Sequence, residues 1–174
     1  MLNHSIISFS LLIPLAAVIT YYDVRYRRIP NAAALATLIA GLLTNALIGG
    51  WNGGARSLEG AAIGFGLMLL LRIFGAMGAG DVKLFAAVGA VIGSQQILTT
   101  FSVVVITGGA LAVCLSLVNG TLRGTLQRVQ LIFRNLLTGW RPPQFPTPPD
   151  KRQTIPYGVA ITFGALISLA FFRQ

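Results

Sequence analysis

Apolar runs close to 20 residues long recur along this chain, and the stretches between them carry most of its charge. A helix needs about 20 apolar residues to cross about 30 Å of hydrocarbon. Inside a bilayer the backbone must satisfy its own hydrogen bonds, which helices do within one segment. The recurrence therefore constrains the chain to an all-α membrane protein. Composition agrees: mean hydropathy is +0.76, with 55 % hydrophobic and only 10 % charged residues. A soluble domain of 174 residues could not cover that much apolar surface. The expectation is one integral membrane domain over residues 1–174.

Six spans fit, at about 5–22, 31–49, 57–74, a short one from 81 to a turn at Ser94-Gln95-Gln96, 97–118 and 155–172. The fourth has only about 14 residues, so it requires a thinned bilayer or a place inside the bundle. With the N-terminus outside, 11 of the 13 basic residues fall on the cytoplasmic side, leaving Arg56 and Arg173 outside. Asp23 and Asp81 then share the cytoplasmic face. The long connection at about 119–153 is cytoplasmic too. Leu122, Leu126, Val129, Phe133 and Leu136 recur at helical spacing in it, as in an interfacial amphipathic helix. The following R-P-P-Q-F-P-T-P-P-D cannot continue a helix and reads as a Pro-rich loop.

A net charge of +9 raises nucleic acid as a partner, but the basic residues are spread between apolar runs and form no separate basic domain. The lipid bilayer is the partner they fit, and no nucleic acid is expected. A lone Cys114 inside an apolar run gives neither a disulfide framework nor a four-cysteine zinc site. His4 has no metal-ligand spacing around it, so no metal and no cofactor is expected. The first apolar run ends in Y-Y-D-V-R and not in a small-residue cleavage site, so it reads as a membrane helix, not a removable signal peptide.

Only four residues are acidic, and two of them close or open apolar runs. A carboxylate at a membrane edge is a functional-site hypothesis by default. Asp81 follows Gly75, Gly78 and Gly80 in G-A-M-G-A-G-D-V-K-L, where a glycine turn and a helix-capping Asp would account for it alone. Asp23 is harder to explain. It lies near the C-terminal end of the first helix, where the dipole disfavours an anion, although Arg25, Arg27 or Arg28 could pair with it. Two carboxylates brought together share a proton, and one can then act as base on a water while the other polarises a carbonyl. Lys83 either tunes the pair or snorkels to the interface, with the interface role favoured. The arginines serve as topology determinants, and Pro30 suits the first residue of the second helix, with Asn31 beside it. Pro156, Tyr157 and Gly158 read as a helix start with an interfacial tyrosine.

The pattern resembles the type IV prepilin peptidase family, membrane aspartic proteases of the G-x-G-D type. Its first motif, an Asp followed by Arg and then I-P-N, is matched by Asp23, Arg25, Ile29, Pro30 and Asn31. The second, G-x-G-D-x-K, is matched by Gly78, Gly80, Asp81 and Lys83. A weaker P-Y-G element lies at Pro156, Tyr157 and Gly158. The resemblance implies that Asp23 and Asp81 are the catalytic pair. It also implies cleavage of the short basic leader of prepilins or pseudopilins, after a glycine of the substrate, at the cytoplasmic face of the bacterial inner membrane. Larger members carry an additional N-terminal portion with paired cysteines, linked to N-methylation. This chain begins at the first span with one cysteine, and resembles the short peptidase-only members such as those serving tight-adherence pili.

Tyr22-Asp23 also fits the Y-D pairing of presenilin-like intramembrane proteases, but the I-P-N continuation and the lack of a P-A-L element favour the pilin-type enzyme. A small proton-coupled transporter would need polar residues deeper in the spans, and these are sparse. Homo-oligomerisation is left open by the sequence.

Overall fold

One glycine replaces the loop expected at residues 50–56. The structure is a computed structural model and describes residues 2–26, 28–73, 77–118, 127, 130 and 157–172. Helix α1 spans Leu2–Tyr26, α2 Asn31–Ile73, α3 Ala79–Ile92, α4 Ile97–Val118 and α5 Tyr157–Phe171. The spans expected at 31–49 and 57–74 are joined in α2, which leaves helical geometry at Gly50 (φ 58°, ψ −146°). Positive φ there is accessible to glycine without a Cβ clash.

That break folds α2 back on itself. Asn45 Nδ2 and Ser57 Oγ both donate to the Ala90 carbonyl, at 2.9 and 2.6 Å. On a straight helix those two positions would be about 18 Å apart and could not share one acceptor. Gly53 lies directly against the Asn45 backbone, where any side chain would collide. The consequence is positional. A straight helix of 43 residues would carry its ends about 65 Å apart. The reversal instead brings residue 31, next to the Asp23 segment, and residue 73, next to the Asp81 segment, to one end of the bundle.

Helix α3 resolves the question raised by its length of 14 residues. Every residue from Asp81 to Ile92 except Lys83 is buried, so it lies inside the bundle. A helix apolar on all sides suits such a place. Glycine makes the approach possible: Gly60 of α2 and Gly89 of α3 meet backbone to backbone, and a Cβ on either would run into the other's carbonyl. The carbonyls at the C-terminal end of a helix lack intrahelical partners. Here Asn45 also reaches Val91 O at 3.2 Å, and Gly93 N–H caps Gly89 O at 2.8 Å. The turn at Ser94–Gln96 forms as expected and is tied to α2 by Ser94 N–H donating to Arg56 O at 3.0 Å. Around α3 pack Leu12, Leu15 and Ile19 of α1, Met68 of α2, Ile97 and Val104 of α4, and Ile161 and Leu169 of α5. A Thr100–Ser168 hydroxyl pair at 2.9 Å joins α4 to α5.

Among the described residues, three helices are long and apolar enough to cross a membrane: Ile6–Tyr26, Asn31–Ile73 and Ile97–Val118, with mean hydropathies of 1.7, 1.8 and 2.4. Their outward faces carry large apolar residues such as Leu47, Trp51 and Ile106, and Cys114 is exposed on α4. These features suggest a membrane protein. The first helix runs past the expected end at residue 22, which places Asp23 in its last turn. Pro30 is not the first helical residue: α2 starts at Asn31, and the Pro30 carbonyl accepts from Ala34 N–H at 3.3 Å, the role of a cap. The expected amphipathic helix and Pro-rich loop within 119–153 lie outside the described residues, apart from Gln127 and Gln130, which are helical and exposed. Arg27 and Pro156 lie outside them as well.

Candidate active site

Asp23 occupies the last turn of α1 and is 7 % exposed. The dipole of its own helix disfavours a negative charge there, but a second helix compensates. Gly158, in the first turn of α5, abuts the carboxylate so closely that a Cβ on it would stand 2.8 Å from Asp23 Oδ2 and 2.9 Å from Ile19 Cγ2. First-turn amides have no intrahelical partner and form the positive end of the helix. The α5 terminus therefore offsets the unfavourable end of α1.

Asp81 is placed by a related device. It is the third residue of α3, 8 % exposed, and its Oδ2 accepts from the N–H of Gly78 at 2.9 Å. Gly78 is the extended residue before the helix (φ −82°, ψ 161°), so Asp81 supplies the acidic half of a capping box. The capping explanation of Asp81 is thus correct as local structure, although the residue reaches back from inside the helix. Capping does not account for its neighbours. Two adjacent residues open α5 at this end, Tyr157 and Gly158, and Gly158 stands against Asp23. The Tyr157 ring also packs over Gly108 of α4.

The segments flanking the acids interlock. A Cβ on Gly80 would lie 3.1 Å from Ile29 Cβ, so Gly80 gives Ile29 its seat. Lys83 Nζ donates to Asn31 Oδ1 at 3.2 Å. Lys83 is exposed, as an interface residue would be, and it also clasps the start of α2 to α3. Asp23, Ile29, Asn31, Gly78, Gly80, Asp81, Lys83, Tyr157 and Gly158 therefore gather at one end of the bundle. Arg25 and Arg28 are exposed at this end, beside a cluster of exposed tyrosines, Tyr21, Tyr22 and Tyr26, whose ring centroids are 5.5 to 6.2 Å apart. Such a belt suits the boundary between lipid and water. Among the described residues no three His, Cys, Asp or Glu side chains cluster to hold a metal ion.

Sequence reasoning passed over Asn45 and Ser57, which hold the far end of α3 and so set where Asp81 emerges. Their signal was available: two polar side chains within long apolar segments, each of which must find a partner when buried.

The comparisons with known proteins bear on these residues. A family model described as the type IV leader peptidase family matches residues 10–113, a stretch holding both acids but not Tyr157 and Gly158. No curated protein and no solved structure gives a significant match.

Proposed function

The chain belongs to the type IV leader peptidase family, and from that premise we propose that it is a membrane-embedded aspartic endopeptidase that removes the basic leader of prepilins or pseudopilins. A peptidase hydrolyses an amide, and the two buried carboxylates are the groups suited to it. The ionised one takes a proton from water as the water oxygen attacks the scissile carbonyl carbon. The protonated one gives its hydrogen to the carbonyl oxygen, producing a neutral diol. As the C–N bond breaks, the acid that took the water proton gives it to the departing nitrogen, a diol hydroxyl gives its proton to the other acid as the product carboxyl forms, and the pair is again singly protonated. Each acid lies beside a helix N-terminus, which steadies negative charge as it moves between them.

The observation that carries the reading is the interlock. Ile29 on Gly80, Asn31 on Lys83 and Gly158 on Asp23 draw three separate chain segments into one unit around two acids. Orientation follows from charge. Arg25, Arg28, Arg72 and Lys83 flank the end that holds the acids, so this end faces the cytoplasm of a bacterial inner membrane. In that setting α1, both arms of α2, α4 and α5 cross the bilayer, and α3 is sheltered among them.

The test is cleavage by the full chain in liposomes, with a prepilin and an unrelated transmembrane peptide as substrates and the new N-terminus sequenced. One cut after the leader glycine of the prepilin, with the other peptide intact, is the expected result. Equal cutting of both would favour a general intramembrane protease, and proton flux without cleavage a transporter.

A further inference from the structure

Thr20 holds a buried hydroxyl that makes no hydrogen bond among the described residues. A helical threonine has an easy remedy, because its Oγ1 can bond the carbonyl one turn back. This protein uses that remedy elsewhere: Thr44 bonds Ala40 O at 2.7 Å, Thr107 bonds Val103 O at 2.8 Å, and Thr162 bonds Gly158 O at 3.0 Å. Thr20 does not take it. A buried hydroxyl left open costs free energy that valine, of nearly the same shape, would avoid.

Its place in the fold gives the hydroxyl a use. Thr20 precedes Asp23 by three residues in α1, so their side chains are neighbours on one face, with Cβ atoms about 5–6 Å apart. Side chains on a helix lean toward its N-terminus. Asp23 does so: the point where a Gly158 Cβ would sit is 2.8 Å from Asp23 Oδ2 and 2.9 Å from Ile19 Cγ2, which brings the carboxylate back toward Ile19, the residue before Thr20. We infer that Thr20 is a positioning residue of the peptidase, which donates its hydroxyl hydrogen to the Asp23 carboxylate after rotation about Cα–Cβ. The bond fixes one carboxylate oxygen and leaves the other directed at the reacting water. It strengthens when Asp23 is ionised, since a charged acceptor forms the stronger bond. The inference rests on the proposed role of Asp23 and adds a residue from outside all three motifs.

Kinetics on Thr20→Val, Thr20→Ser and Thr44→Val in liposomes, with a prepilin as substrate, test it. Thr20→Val is expected to lower kcat about tenfold with KM nearly unchanged, and its thermal midpoint is expected to be no lower than that of the parent. Thr20→Ser should recover most of kcat, and Thr44→Val should match the parent. A purely structural hydroxyl would instead lower the thermal midpoint without a separate fall in kcat. Parental kcat in Thr20→Val, or a lowered thermal midpoint in that variant, overturns the inference. Asp23→Asn separates the two levels of the account: if it retains cleavage, the acid pair and this inference fall together. If it is inactive while Thr20→Val is unimpaired, only this inference falls.

Discussion

Gly158→Ala places one methyl group where the account says none can go. The added carbon would meet Asp23 Oδ2 at 2.8 Å, Ile19 Cγ2 at 2.9 Å and Asp23 Cγ at 3.3 Å. Non-bonded heavy atoms rest comfortably at about 3.5 Å or more, so the first two contacts are short by about 0.6 to 0.7 Å. Both neighbours are short side chains fixed to the same turn of α1. Relief therefore requires the carboxylate to swing away or α5 to back off. Overpacking of this kind costs about 1–3 kcal/mol, but the larger effect should be on rate. A displacement of about half an ångström at an attacking group is part of the way to the 1 Å misplacement that costs about a hundredfold, so kcat should fall about tenfold. The assay is prepilin cleavage in liposomes, read as kcat and KM beside thermal unfolding in detergent. Gly66→Ala is the control, because nothing lies within 4 Å of its new methyl and alanine favours a helix over glycine by about 0.5–1 kcal/mol. It should keep parental kcat with equal or higher stability. Parental kcat and thermal midpoint in Gly158→Ala would refute the reasoning, since Gly158 would then not back the acid.

Other variants probe the scaffold. Asn45→Leu removes the donor to Val91 and one of the two donors to Ala90, which Ser57 also serves, and should destabilise the fold by about 1–3 kcal/mol in thermal unfolding; an unchanged midpoint would show that Val91 O needs no cap. Gly60→Ala drives a methyl into the Gly89 carbonyl and the Gly93 backbone, which cannot rotate aside as a side chain could. It should abolish the monodisperse folded peak in size-exclusion chromatography, and a well-folded variant would refute the close contact of α2 with α3. Lys83→Met breaks the clasp to Asn31 on an exposed edge, so a lower cleavage rate with an unchanged thermal midpoint is expected. A fully active variant would show the clasp to be dispensable.

Much of the candidate site was legible because its acids are rare in their surroundings. Asp23 and Asp81 are conspicuous in a chain with four acids, and their neighbouring motifs carried the resemblance that the family match bears out. The end of α3 at the Ser94–Gln96 turn was legible too, since polar residues interrupt an apolar run. The break in α2 falls within the gap expected between the spans at 31–49 and 57–74, but its form was not legible. Asn52, Gly53, Gly54 and Arg56 resemble a loop by composition, but a single positive φ at Gly50 turns the chain, and the glycines that follow let the two arms touch. What the sequence hid were contacts made by the absence of a side chain. Gly60 against Gly89 and Gly158 against Asp23 leave no periodic signature, because a glycine that admits a neighbouring backbone reads the same as one that merely bends.

The central claim is that Asp23 and Asp81 together hydrolyse a peptide bond, and the direct measurement is the cleavage rate of Asp23→Asn and Asp81→Asn. Asparagine keeps the shape and removes the acid, and both variants should insert and fold. Each alone is predicted to reduce prepilin cleavage to background, because neither acid can take and return the proton without the other. Multiple-turnover cleavage by either variant would contradict the account.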